Sequence, residues 1–195
     1  MMGRLEIVLY VNNLENNNCS SFINDIRSML SDSELSAKEE GKKTEIDDYL
    51  IYEMFLEPQD TTFFPRLIKK LKGYCNSNHM EMEAIEHNVY GGIVNYISTL
   101  TSESFNNVCQ LYINNKDKEK LYKLLKHRAR WLLLNEEDVD EVFNIYKSIG
   151  DYENAQELLI DTYDYLHATY GENYNYTSLA KLFIEIGDFN TAKIC

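Results

Sequence analysis

The stretch Ile149-Gly-Asp-Tyr-Glu-Asn-Ala155 recurs as Ile186-Gly-Asp-Phe-Asn-Thr-Ala192, 37 residues later. Each copy sits between two apolar runs with helical spacing. Its glycine therefore falls where a helix C-terminus wants a left-handed residue without a Cβ, and the following Asp can take the turn. A weaker copy, Asp117-Lys-Glu-Lys-Leu121, lies 34 residues before Asp151. That period is the period of helical-hairpin repeats. The match extends into the helices, since Leu111-Tyr112, Ile145-Tyr146 and Leu182-Phe183 occupy equivalent places before the turn, and Leu124-Leu125 matches Leu158-Leu159 after it. The repeating unit reads as a pair of antiparallel helices, which offers a surface and no chemistry of its own.

Two prolines and eight glycines in 195 residues, with many Leu, Ile, Lys and Glu, extend the helical expectation to the whole chain. The predicted fold is all-α: one right-handed α-solenoid of antiparallel helix pairs over residues 1–195. Within it, residues 1–30 form an N-terminal helix pair built on Leu5, Val8 and Leu9, then on Phe22, Ile23, Ile26, Met29 and Leu30. Residues 31–44 lose apolar periodicity and read as a polar, exposed loop. Residues 45–100 read as irregular helical pairs: Ile46 to Leu56 ending at Pro58, a helix from Pro65, and Met80 to Leu100 with Gly91-Gly92 as a kink or close contact. Residues 101–195 hold the clearest repeats. Thr101 or Ser102 caps the first helix, and Asn135 caps one starting at Glu136. The chain is expected to stop inside a repeat, as a fragment of something longer.

A formal net charge of −13 opposes nucleic-acid phosphates at long range. Nucleic-acid contact is therefore expected to be absent or indirect. The basic concentrations are Arg66, Lys69, Lys70 and Lys72, and a helix from Asp117 to Leu134 with Lys116, Lys118, Lys120, Lys123, Lys126, Arg128 and Arg130 outward and Leu121, Leu124, Leu125 and Trp131 inward. The first reads as the solvated face of a helix or as an acidic-partner contact. Cys19, Cys75, Cys109 and Cys195 are scattered without a Cys-x-x-Cys pair, which favours buried reduced thiols over a zinc site or a disulfide framework. Neither a secretory leader nor a membrane-spanning run is legible, and a cytoplasmic protein is expected.

Glu83, Glu86 and His87 lack the Glu-x-x-His spacing of a di-metal helix, since Ala84 stands three residues before His87. His79, His127 and His167 are isolated, and no nucleophile or phosphate-binding motif occurs. The expectation is a non-enzyme with no cofactor, no metal and no catalytic residue. Trp131 reads as a core anchor. Tyr163, Tyr165, Tyr170, Tyr174 and Tyr176 crowd one helix end and its loop, too many to bury together, and form the candidate protein interface.

Paired helices with Gly-Asp-aromatic joints at this spacing resemble the helical arm of PCI-domain scaffold subunits. From Arg128 to Ala192, Trp131 followed by Glu136 and by Val142, Ile145 and Tyr146 is similar to the m subunit of translation initiation factor three. The match is imperfect at Arg128-Ala-Arg130-Trp131, and nothing aligns before Arg128. The winged helix of that family is absent from these residues. The resemblance implies a non-catalytic scaffold subunit of a large cytosolic complex, with other protein subunits as partners and no direct membrane contact. Proteasome-lid or COP9-signalosome subunits are the alternative of the same architecture, and an all-α enzyme with an unrecognised pocket is the alternative of another class. An unpaired last repeat would expose apolar surface, so the isolated chain is expected to self-associate through its C-terminal end.

Overall fold

The computed structural model describes residues 4–12, 24–25, 28, 38–46, 49–57, 64–88, 90 and 93–195. They form two compact units, 1–116 and 117–195. The first is not helical-repeat structure at all. Its five strands are β1 (Arg4–Asn12), β2 (Lys38–Ile46), β3 (Tyr49–Glu57), β4 (Glu81–His87) and β5 (Ile93–Ser98). They make one antiparallel sheet in the order β2-β3-β1-β4-β5. With α1 (Phe64–Ser77) crossing from β3 to β4 and β1 lying between them, this is a split βαβ arrangement. The order β2-β3-β1-β4 is that of ferredoxin-like sheets, a frame shared by many unrelated functions. Helix α2 (Ser102–Asn114) closes the unit, and Thr101 caps it by accepting from the Ser104 backbone N–H.

The all-α solenoid and the single helical-repeat domain are thus corrected by the sheet, and each error has a physical cause. The expected helix pair of residues 1–30 gives way to strand β1, whose Leu5, Ile7, Leu9 and Val11 pack with α1 residues Leu67, Ile68 and Leu71. Val8 and Tyr10, on the other face, are buried as well. A strand buried on both faces reads as a continuous apolar run without alternation, and such a run imitates helical spacing. Only Asn24, Asp25 and Ser28 of the second expected helix are described, as helical. The polar loop expected at 31–44 is corrected over Lys38–Ile46, which is edge strand β2 paired with β3 from Lys38↔Glu57 to Ile46↔Tyr49. A sequence as charge-rich as Lys-Glu-Glu-Gly-Lys-Lys is tolerated in an edge strand, where charge discourages further pairing.

The helix expected from Ile46 to Leu56 is replaced by the end of β2 and, from Tyr49, by β3, with Leu50, Tyr52, Met54 and Leu56 in the core and Ile51 buried on the opposite face. The long helix expected from Met80 to Leu100 is the β4–β5 hairpin, and the kink placed at Gly91-Gly92 lies outside the described residues. Pro58 lies outside them too, while Pro65 is the second residue of α1, where proline is tolerated. On α1, Arg66, Lys69 and Lys70 are exposed and Lys72 is half-buried, opposite a buried apolar stripe. Cys75 is fully buried, and burial pushes its thiol up to about 12, so it is inert in the native state. Cys109 is likewise buried, Cys195 is partly exposed, and Cys19 lies outside the described residues.

The second unit holds the repeats. Its helices are α3 (Lys118–Leu134), α4 (Asp140–Ser148), α5 (Tyr152–Tyr170), α6 (Thr177–Glu185) and the short α7 (Phe189–Ala192), with a 3-10 turn at Gly171–Asn173. The Gly-Asp joints do what their residues suggest. Gly150 and Gly187 have φ of 74° and 81°. The Asp151 and Asp188 backbone N–H groups then donate back to Tyr146 and Phe183 carbonyls, both at 2.9 Å, ending α4 and α6 in Schellman turns. Each joint Asp next caps the following helix: Asp117, Asp151 and Asp188 accept from the backbone N–H of Lys120, Asn154 and Thr191. Two are also tied to the previous hairpin, by the Tyr122 hydroxyl on Asp151 and by Gln156 Nε2 on Asp188 at 2.9 Å.

At the weak copy the left-handed position is held by Lys116, at φ 58°. No atom lies within 4 Å of a Cβ built on Gly150, so Gly150→Ala meets only the backbone penalty of that conformation. We expect it to lose about 1–2 kcal/mol, and Lys116→Gly to recover about 1 kcal/mol by removing the same penalty. Urea denaturation of the two variants checks the opposite signs.

Three assignments in this unit are corrected: the Asn135 cap, the outward Arg128 and the inward Trp131 anchor. Asn135 ends α3 and caps nothing after it, and α4 starts only at Asp140. Arg128, expected outward, is 3% exposed, and His127 is buried. Arg128 Nε donates to Glu141, and its guanidinium lies 4.5 Å from the ring centre of Trp131, which is only half-buried.

Candidate functional site

The tyrosine crowd resolves into a cluster of four with one outlier. The C-terminal half of α5, the 3-10 turn and the start of α6 bring the rings together. Tyr163 and Tyr176 have centroids 5.2 Å apart, Tyr174 and Tyr176 5.1 Å, and Tyr170 and Tyr174 stack at 5.3 Å. Tyr163 also stacks on the exposed His167 at 5.6 Å. Tyr165 is half-buried and has no ring contact with the other four. Within the cluster the roles divide. Tyr176 is 7% exposed, and its hydroxyl donates to the Gly171 carbonyl at 2.8 Å, which fixes the loop. Tyr170 and Tyr174 are 40% and 36% exposed and present the outer stack to solvent.

Beside that stack runs a narrow cleft of about 60 Å³. Leu133 of α3, Leu166 of α5 and Leu179 and Leu182 of α6 contribute its aliphatic lining, and Glu136, Glu137, Asp138 and Asp140 its carboxylates. The acidic group lies in the connection from α3 to α4 and on the first residue of α4. Glu136 takes the left-handed conformation there, at φ 60°. The Glu137 N–H donates to the Leu132 carbonyl at 2.9 Å, ending α3 as Asp151 ends α4. The Tyr170 hydroxyl donates to Glu136 Oε1 at 2.9 Å, joining stack to carboxylates and raising the Tyr170 phenol pKa. The Asp140 carboxyl is held above the usual carboxylate range by burial and by the negative charges of Asp138 and Glu185.

The tyrosines are legible in the sequence and the acidic wall is not, because a helix expected to start at Glu136 absorbs these carboxylates, whereas α4 starts only at Asp140. The signal that could have found it is charge balance: from Glu136 to Cys195 thirteen Asp or Glu stand against three Lys. One of those, Lys147, is engaged by Glu185 at 2.7 Å. Among the described residues no group of three or more His, Cys, Asp or Glu is placed to hold a metal ion, so these carboxylates line a surface without converging on a point.

The sheet unit has a wider depression of about 390 Å³ among Tyr10, Tyr49, Asn76, His79, Met80, Glu81 and Thr99. Glu81 accepts there from Ser104 Oγ at 2.7 Å and from the Thr101 backbone N–H at 3.3 Å, a role in starting α2. Glu83, Glu86 and His87 lie on strand β4 and not on a helix. Glu83 is 2% exposed and accepts from the hydroxyls of Tyr10 and Tyr96, while His87 Nε2 lies 3.4 Å from Glu6. At the other end of the chain, Ile184, Phe189 and Ile194 are 50%, 59% and 69% exposed. Among the described residues no helix is long and apolar enough to cross a membrane. No family model matches the chain, and neither the curated proteins nor the solved structures contain a significant match to it.

Proposed function

We propose that the chain is a non-catalytic, protein-binding component of a larger assembly, with the helical unit as its docking element. The observation that carries this reading is the exposed Tyr170–Tyr174 stack beside the leucine-lined cleft. Exposed tyrosine rings beside an aliphatic socket are typical of a protein interface, where aromatic residues are enriched. The cleft is far smaller than the roughly 300–1,000 Å³ of a small-molecule site. An enzymatic reading would turn to the wider depressions, one of about 390 Å³ in the sheet unit, where Glu81 already serves as a helix-capping acceptor, and one of about 420 Å³ at the second Gly-Asp joint, where Asp188 already caps α7.

In its finer form the proposal is a cytoplasmic scaffold subunit, with the translation initiation factor three assembly first and the proteasome lid or signalosome as the alternative. The supporting resemblance covers Arg128 to Ala192, all of it within the helical unit. Affinity purification from the native source separates these complexes by their subunits. The docking reading itself is tested by a photo-crosslinking amino acid at Tyr174, with the same probe at Lys70 as control. A discrete, saturable protein adduct at Tyr174 alone is expected. Equal capture at both positions, or none at Tyr174, removes the reading.

A further inference from the structure

We propose, resting on that docking reading, that the cleft takes a short basic segment of a partner protein. One aliphatic side chain of the segment enters between Leu133, Leu166, Leu179 and Leu182, and a flanking Lys or Arg meets Glu136, Glu137, Asp138 and Asp140.

Three features of the cleft select this occupant. Its volume of about 60 Å³ holds the end of one side chain or a few waters. It is therefore a socket for an anchor and not a groove for a whole helix. Its lining contains four carboxylates and no Lys or Arg. Glu137, Asp138 and Asp140 form no ion pair among the described residues. A cation arriving at these three thus displaces no internal cation and relieves repulsion that is already present, while Glu136 keeps its bond from the Tyr170 hydroxyl on one oxygen. The outer stack supplies the third feature: Tyr170 and Tyr174 expose ring surface beside the carboxylates, and a guanidinium or ammonium group is attracted both to an aromatic face and to a carboxylate. A metal ion would need converging ligands, which the described residues do not provide. An acidic or phosphorylated segment would meet like charge on every approach.

The test uses the full chain and synthetic peptides. The probe is an acetylated, amidated Gly-Lys-Leu-Arg-Lys-Gly peptide, with one control replacing Leu by Ser and another replacing the basic residues by Gln. Binding is followed by amide shifts of the labelled protein. We expect saturable shifts confined to residues 133–140, 166–170 and 174–182, with Kd rising steeply between 50 mM and 300 mM salt as a charge-driven contact requires. Each control peptide should bind at least tenfold more weakly. On the protein side, the combined variant E136Q/E137Q/D138N/D140N should lose at least tenfold in affinity while melting no lower than the parent, because repulsion has been removed. The peptide controls decide the question even if that variant fails to fold.

Shifts scattered over the surface, equal binding of the Gln control, or binding that the variant leaves unchanged would overturn the inference. Mass-spectrometric mapping of the Tyr174 crosslink separates its failure from that of the docking reading. An adduct on an acidic or uncharged partner segment keeps the docking and discards the basic occupant. No adduct discards both.

Discussion

Arg128→Ala is expected to cost the helical unit about 3–5 kcal/mol, a large effect for one exchange on a helix that reads as basic and solvated. Arg128 is 3% exposed, its Nε donates to Glu141, which is 15% exposed, and its guanidinium packs on the Trp131 ring. The pair joins α3 to α4. Truncation removes the charge partner of a mostly desolvated carboxylate and the packing of a long side chain in one step. Arg128→Met keeps most of the volume and should cost roughly half as much, because an apolar isostere at a buried ionic position is often tolerated. Urea denaturation of both variants at pH 7 reads the difference. If Arg128→Ala stays within about 1 kcal/mol of the parent, the pair is solvated in practice and the account of α3 is wrong.

The sheet unit should respond as strongly at Glu83. Its two carboxylate oxygens accept one phenol each, Oε2 from Tyr10 at 2.6 Å and Oε1 from Tyr96, and all three residues are buried. A hydrogen bond to a charged group contributes about 1.5–3 kcal/mol. Tyr10→Phe and Tyr96→Phe should each cost that much, and the double variant about 3–5 kcal/mol, with non-additivity because both act on one carboxylate. Alkaline pH gives an independent reading. Burial, with the Glu83 charge next, raises the Tyr10 phenol well above its ordinary value of 10.0. The unfolded chain releases that proton near pH 10 while the folded chain keeps it. The stability contributed by the neutral phenol is therefore complete below pH 10 and lost as pH rises beyond it. Between pH 10 and 11 the parent should lose urea midpoint more steeply than Tyr10→Phe. Parallel slopes would assign the alkaline loss to other raised groups, such as Tyr74 and Cys75.

The two units differ in how much of them the sequence discloses, and the reason is locality. In the helical unit the determining contacts are near neighbours: Gly150 turns, Asp151 caps Asn154, and the same device returns at Gly187 and Asp188. A repeated local device is visible as a repeated local string. In the sheet unit the partner of Leu9 is Tyr52 on one side and Met82 on the other, and no local pattern announces either pairing. Burial of both faces of β1 removed the alternation that would have marked a strand, and the charges of β2 concealed another. The candidate site divides the same way. The tyrosines lie within one short stretch and could be seen as a crowd, whereas Glu136 joins Tyr170 across 34 residues. Only the hairpin geometry brings them together.

The central place of β1 also sets the order of events during synthesis. Leu5 to Val11 leave the ribosome before their hydrogen-bonding neighbours, β3 and β4, which are complete only at Glu57 and His87. For that interval an apolar strand has two open edges and no sheet to occupy, the condition under which nascent chains mispair or recruit chaperones. The helical hairpins face no such wait, since each helix is followed at once by the one it packs against. The nascent chain thus carries its most association-prone segment through the longest delay, and slowing elongation between Asn12 and His87 should lower the yield of folded protein more than slowing it after Asp117.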